Sequence, residues 1–350
     1  MALRSCMIFC SFFLMLMLSA SQIHAEISEE VLEKIKLLNR RGEFYALVVP
    51  GELELQVVLG PPFQQDEDMP VIDISGRRFH IGSIAGRRAI VTMLGIGMLN
   101  AAQTTQMLLN SFRVRAVIHY GKASNANPEQ VNIGDVVIPD KFAHCGVWHW
   151  EKCGGNGEGD NCDIAKLRFS DYNVEDRGAQ NRLESVSMRA EVYYSKPEAG
   201  KRTFFLRVND GLYALAQKMA KEIYLDKCVR GSRICLGEQP NVKWGVGIGC
   251  SADISVNNVA FRDFLHRNLN AATIDTESAA VAWVCLSEQK PFITMRSITN
   301  FAGGSPPGEN DLTVIQSLWP HHAREVLRAY FKLLPKEDSD LRPVTVSEVW

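Results

Sequence analysis

The chain has 350 residues, 46% of them hydrophobic and 22% charged, with a formal net charge of -2. A balance this even, without a clustered basic face, removes the electrostatic case for nucleic-acid binding. The length suffices for one large domain or two small ones.

The N-terminus opens with MALRSC, which carries one arginine, and continues into the apolar run MIFCSFFLMLML, too short to span a bilayer comfortably. SASQIHA follows, with Ala20 and Ala25 as cleavage positions. This pattern predicts a secretory signal peptide over residues 1–25, with a retained anchor as the weaker alternative, and places the protein in the secretory pathway, extracellular or vacuolar. No other stretch is long enough to cross a membrane, so no membrane partner is expected after cleavage. Of nine cysteines, Cys6 and Cys10 leave with the signal. The odd remainder leaves at least one thiol unpaired. Cys228 and Cys235 bracket the short loop CVRGSRIC and are the expected disulfide. Cys250 and Cys285 sit in apolar runs and are expected as buried thiols. There is no CxxC pair, so no metal site is expected, and no N-x-[ST] sequon is present.

Downstream of the signal, EEVLEKIKLLNRRG predicts a short helix stopped by Gly42. FYALVVP (44–50) predicts a buried strand running into Gly51. FHIGSIAGRRAIVTMLGIG (79–97) predicts two strands turning at Ala85-Gly86. LNAAQTTQMLLNSF (99–112) is a helix, with Ala101, Ala102, Thr105, Leu108, Leu109 and Phe112 on one face, and RAVIHYG (115–121) is a strand. Strand, helix, strand requires a parallel pair. The pattern recurs as WGVGIGCS (strand), NNVAFRDFLHRN (helix), AATIDTE (strand), SAAVAWVCLSEQK (helix) and PFITMRSITN (strand). A closing helix follows, in which Pro320 marks a start or a kink. This alternation predicts one α/β domain over 26–335 around a largely parallel, buried sheet. Residues 145–190 break the rhythm as a polar, Gly-rich insertion, and 336–350 form a tail without a packing signal.

Five strand ends carry polar groups or glycines: Gly51-Glu52-Leu53-Glu54, Gly95-Ile96-Gly97, Gly121-Lys122-Ala123-Ser124-Asn125, Asp275-Thr276-Glu277 and Asn300. In a parallel sheet such ends lie along one edge and converge on one pocket, where glycines let a ligand approach the backbone.

Taken together, LGIGMLNAAQTTQMLL, VIHYGKASNA, NIGDVVIP, TIDTESAAVAWVC and MRSITNFAGG resemble the nucleoside phosphorylase/nucleosidase superfamily. Within it, HYGxAxNANP and the CVxxxxxC loop are most similar to the plant branch that includes the bark and vegetative storage proteins. The resemblance covers roughly residues 44–334. It implies a three-layer α/β/α sandwich with a mixed, twisted, partly closed central sheet, and a homo-oligomer. It also implies cleavage of a purine nucleoside's N-glycosidic bond by phosphate or water, through an oxocarbenium-like transition state and without a cofactor. The alternative is a storage or nucleoside-binding protein whose catalytic groups have drifted.

By resemblance, Glu277 accepts hydrogen bonds from ribose hydroxyls; otherwise it serves the dipole of its own helix. Thr276 stands where the family has methionine, and altered ribose packing is expected there. Glu54 matches a water-activating glutamate, or is an exposed charge. Gly51, Gly95, Gly97, Gly121 and Ile254 are assigned to the substrate pocket with them. Lys122 replaces a small or apolar residue; it supplies a point charge for phosphate or plugs the nucleophile site. Asn300 replaces an aspartate that protonates the purine at N7. An amide cannot transfer that proton, but its NH₂ can donate to N7. This marks either a decayed site or a preference for 6-oxopurines.

Overall fold

The computed structural model describes residues 27–150, 165–168, 185–304 and 311–336. The expected signal peptide, all of the tail but its first residue, Cys153, Cys162 and much of the 145–190 insertion lie outside the described residues.

Strand β1 (Phe44–Val49) shows how the layers arise. Successive side chains of a strand point to opposite faces. Tyr45, Leu47 and Val49 enter one apolar cluster, while Phe44, Ala46 and Val48 enter another. All six residues are buried, as a strand covered on both sides requires. The main sheet further contains β2 (Arg77–Ile84), β3 (Arg87–Met93), β4 (Val114–Asn125), β5 (Ile248–Ser251), β6 (Ala271–Asp275) and β7 (Phe292–Phe301).

One face is covered by α1 (Glu29–Arg40), α3 (Met98–Ser111) and α6 (Ser278–Ser287), through residues such as Leu38, Leu108 and Val281. The other is covered by α2 (Glu52–Val58), α4 (Asp210–Glu222) and α7 (Asp311–Leu333), through Val57, Leu212 and Leu327. Helix α5 (Val259–Leu269) packs on a third cluster around Cys250 and Ile274. Helix α6 is apolar almost all round, and eight of its residues are buried, as befits a helix inside a core. Helix α7 runs through Pro320 as one element.

Strands β3 and β4 flank β1, and both pairings are parallel, as the strand–helix–strand reading requires. The sheet as a whole is mixed. Strand β7 lies parallel to β4 and β5 parallel to β6, but β6 meets the far end of β4 antiparallel, with Thr273 opposite Asn125 and Ile274 opposite Ser124. Two parallel sets therefore come together with their C-terminal ends facing. That junction gathers the strand ends which a simple parallel sheet would spread along an edge.

Three local expectations are corrected. WGVGIGCS forms two strands, Val242–Trp244 and Ile248–Ser251. The described parts of the 145–190 insertion hold strands Trp148–His149, Leu167–Arg168 and Ser185–Met188, which pair as a small sheet. Cys250 is not a thiol: it is bonded to Cys145, 105 positions away. Strand Lys141–His144 lies beside β5, and Cys145 N donates to Ser251 O at 2.8 Å, which sets the two cysteines side by side. Cys228 and Cys235 do form the expected disulfide, and Cys285 is a buried free thiol.

Candidate active site

The turn from β6 into α6 is organised by a carboxylate. Asp275 Oδ1 accepts from the backbone N–H of Glu277 (2.9 Å) and Ser278 (2.8 Å) and from Ser251 Oγ (2.9 Å). Its Oδ2 accepts from Ser278 Oγ at 2.8 Å. Asp275 therefore satisfies the orphan donors at the start of α6, and Glu277 is left for other partners. The Glu277 side chain is buried; Oε1 accepts from Gly97 N at 3.2 Å and from Thr276 Oγ1. Burial raises the Glu277 pKa above its ordinary value and the Asp275 charge adds to this, while Arg296 and the hydrogen bonds from Thr276 and Gly97 oppose it.

Arg296 ties β7 to that turn. Its side chain has no exposure, with Nε 3.3 Å from Asp275 Oδ2 and Nη2 3.7 Å from Glu277 Oε2. Nε donates to Ser278 Oγ at 2.9 Å, Nη1 to Lys122 O at 3.3 Å, and Nη2 meets His119 Nε2 at 3.1 Å. Gly121 is required for this arrangement: a Cβ there would stand 2.4 Å from Arg296 Nη1 and 2.6 Å from Pro50 Cγ.

Lys122 carries the network outward. Its Nζ lies 3.3 Å from Glu54 Oε1 and 5.0 Å from the centre of the Trp319 ring. The Glu54 side chain is 7% exposed and that of Lys122 27%, so Glu54 is not a free surface charge. Glu54 sits in the first turn of α2, and a Cβ on Gly51 would touch its Oε2 at 3.2 Å. Behind them Tyr120 Oη and Ser297 Oγ form a buried 2.5 Å hydrogen bond. Burial raises the Tyr120 pKa and keeps it a phenol.

Asn300 lies on the same strand as Arg296, beyond a register shift between Ile298 and Asn300. Its Nδ2 donates to Ser124 Oγ at 2.8 Å and to Phe301 O at 3.2 Å. Gly95 N donates to Pro50 O at 3.1 Å, joining the ends of β1 and β3. Gly97 has φ 97°, and Met98 N, just after it, donates to Asp253 Oδ1 at 2.8 Å. Ile254 is 39% exposed and lines a small pocket with Cys145, Cys250, Val256 and Phe261. It reaches the network through its neighbour Asp253 and through Ala252, to whose O Ile254 N donates at 2.7 Å and whose N donates to Asp275 O at 3.2 Å. A continuous chain of contacts thus runs from Gly97 through Glu277, Arg296 and Lys122 to Glu54. Asn300 attaches through Ser124 on β4.

Sequence reasoning did not find the roles of His119, Ser251, Asp253, Ser278 or Ser124. Apart from the local bond of Ser278 to Asp275, these are contacts between segments well separated in sequence. Asp275, three residues before a helix start, carries a local signal for its capping role. Among the described residues no cluster of His, Cys, Asp and Glu is placed to hold a metal ion, and no helix is long and apolar enough to cross a membrane.

A profile of the phosphorylase superfamily matches residues 45–330, and the chain belongs to that family. Bark storage protein A of Populus deltoides is 34% identical over 241 residues, covering 69% of this chain and 74% of that protein. A 5'-methylthioadenosine/S-adenosylhomocysteine nucleosidase of Tolumonas auensis is 24% identical over 70% of this chain and 82% of its own length. In structure, the corresponding nucleosidase of Colwellia psychrerythraea in complex with adenine superimposes with a TM-score of 0.57 at 16% identity, covering 84% of this chain and 96% of that one. The mixed three-layer α/β/α fold is thus shared with nucleosidases.

Proposed function

We propose that the protein hydrolyses the N-glycosidic bond of purine nucleosides, with water as the nucleophile. The observation that carries this reading is the internal pairing of Arg296 and Lys122, the cations of β7 and β4 at the strand ends; Arg77, beside Gly95, is held by Asn100 Oδ1 at 2.7 Å. Arg296 has no exposure and faces Asp275 and Glu277, while Lys122 faces Glu54. A phosphate dianion needs cationic or N–H donors free to receive it. The N–H groups of Gly97 and Met98, at the start of α3, are likewise engaged by Glu277 and Asp253. Water makes no such demand.

In this reading Glu277 accepts hydrogen bonds from the ribose hydroxyls and stabilises the positive charge that develops as the bond from the anomeric carbon to the base nitrogen breaks. Glu54 takes a proton from the attacking water, whose oxygen bonds to that carbon. The base leaves toward Asn300 and collects a proton from solvent. The nucleosidase relatives support this reading. The bark storage relative and the placement of Lys122 on Glu54 favour a second reading, in which the same pocket binds nucleoside and turns over slowly or not at all. A secretory or vacuolar route, with residues 1–25 removed, accompanies either.

The test is release of free base from a panel of purine nucleosides in phosphate-free buffer, with the sugar product identified. Free sugar at a rate unchanged by added phosphate supports hydrolysis. Phosphate dependence or sugar phosphate as product overturns it, and binding without base release supports the second reading.

A further inference from the structure

This inference rests on the glycosidase reading above and concerns which base that site selects. We propose that Ser124 is a positioning residue that holds the Asn300 amide as a hydrogen-bond acceptor toward the base, and so selects purines with a 6-amino donor over 6-oxopurines. The placement comes from the register of two strands. Along β7 the pairing with β4 passes from Ile298 opposite Ala123 directly to Asn300 opposite Ser124, which leaves Thr299 as an extra residue. A bulge of this kind re-aims the side chain that follows it, and here it sets Asn300 against Ser124.

The hydrogen-bond inventory then fixes the amide. A side-chain amide has two N–H donors and one carbonyl oxygen. Phe301 O, 3.2 Å away, is a carbonyl that can only accept, so the nitrogen must face it. The second hydrogen goes to Ser124 Oγ at 2.8 Å. Donor capacity is thereby exhausted. Among the described residues Oδ1 meets only Thr299 Oγ1, at 3.4 Å, and keeps a lone pair to offer. An acceptor suits the exocyclic N–H of a 6-aminopurine and faces unfavourably the carbonyl of a 6-oxopurine. This reverses the preference suggested by the residue type alone. Removing the serine hydroxyl releases one amide hydrogen, while Phe301 O keeps the nitrogen where it is. Asn300 then donates as well as accepts.

The experiment compares kcat/KM for adenosine and inosine in the wild type, Ser124→Ala and Ser124→Thr. The wild type favours adenosine. Ser124→Ala lowers the adenosine-to-inosine ratio roughly three- to tenfold, the worth of one neutral hydrogen bond. Ser124→Thr, which restores a hydroxyl, recovers the ratio. Both substrates share the ribose, so a general loss of structure changes both rates and leaves the ratio alone. A wild type that favours inosine, or a ratio unmoved by Ser124→Ala, overturns the proposal. If no nucleoside is cleaved, it is the glycosidase reading that fails. Calorimetric affinities for adenine and hypoxanthine, in wild type and Ser124→Ala, then decide the serine's role by the same ratio.

Discussion

His119 Nε2 stands 3.1 Å from Arg296 Nη2, and neither side chain reaches solvent. A neutral imidazole can accept from the guanidinium there, whereas a protonated one would set two cations together. Burial first, and the Arg296 charge second, hold His119 well below its ordinary 6.5.

The sign of the resulting pH dependence follows from the unfolded chain, which takes up a proton near the ordinary value while the folded chain does not. Stability from this site is complete above the unfolded pKa. It is lost as pH falls toward the folded pKa, by up to about 1.4 kcal/mol per pH unit. His119→Gln keeps a carbonyl acceptor for Arg296 and removes the titrating group. Its denaturation midpoint should therefore fall less than that of the wild type between neutral and mildly acidic buffer. Equal losses in the two proteins would show that another histidine carries the effect; His80 and His322 are also lowered by burial.

A second prediction concerns Glu277. Its carboxylate must be ionised to accept from ribose, and burial raises its pKa above the ordinary 4.5. Activity should therefore fall with decreasing pH along a limb that lies above that value. The Thr276 hydroxyl works in the opposite direction, so Thr276→Val should move the limb to higher pH with little change on the alkaline side. Glu277→Ala should abolish nucleoside binding, since it removes charge-assisted hydrogen bonds of roughly 1.5–3 kcal/mol each. Calorimetric titration with a nucleoside reads this directly. Retained binding with a large drop in melting temperature would assign Glu277 to the start of α6 instead.

Lys122 gives the third. An ammonium 3.3 Å from Glu54 Oε1 occupies a carboxylate oxygen that would otherwise accept from the attacking water. Lys122→Ser removes that restraint while leaving a small polar side chain. Hydrolysis of the preferred nucleoside should rise by about tenfold, a modest part of the range for general-base catalysis. A fall in rate instead would make the lysine part of the water site rather than a restraint on it.

How much of this was legible in the sequence depends on the range of each signal. Strands β1 and β4 and helices α3 and α6 read correctly because their periodicity is local, as in the alternation of β1 between two clusters, whereas α2 and α4 were not expected. The convergence of the strand ends was legible in outline from the polar residues and glycines that follow each apolar run. The mixed sheet was not visible in composition or spacing, because the antiparallel contact of β6 with β4 rests on Thr273–Asn125 and Ile274–Ser124, pairs some 150 residues apart; only the family resemblance implied it. The Cys145–Cys250 bond and the His119–Arg296 contact were hidden for the same reason. The orientation of the Asn300 amide lay further out of reach, since it depends on a one-residue bulge and a single carbonyl.

The Cys145–Cys250 disulfide closes a loop across 105 positions. A loop of that size removes on the order of 4–5 kcal/mol of chain entropy from the unfolded state. Cys145→Ser with Cys250→Ser should lower stability by a few kcal/mol in denaturant titration. Because Cys250 is next to Ser251, whose Oγ bonds Asp275, nucleoside affinity should fall too. Unchanged stability would mean that the bond does not form in the folded protein.

The last prediction replaces Asn300 with an acid. Asn300 Nδ2 lies 3.2 Å from Phe301 O and 2.8 Å from Ser124 Oγ. The site is half-buried, which favours the neutral acid of an aspartate there and raises its pKa. A protonated carboxyl can deliver its proton to N7 of the departing purine, which the amide cannot. Asn300→Asp should therefore speed adenosine hydrolysis by about a hundredfold at acidic pH, the lower end of general-acid effects. The gain should decay as pH rises through the new group's pKa and vanish once it is ionised. Rate profiles of both proteins from acidic to alkaline buffer measure this. A gain independent of pH would mean that the substitution acts through packing, and no gain at any pH would place the leaving base away from residue 300.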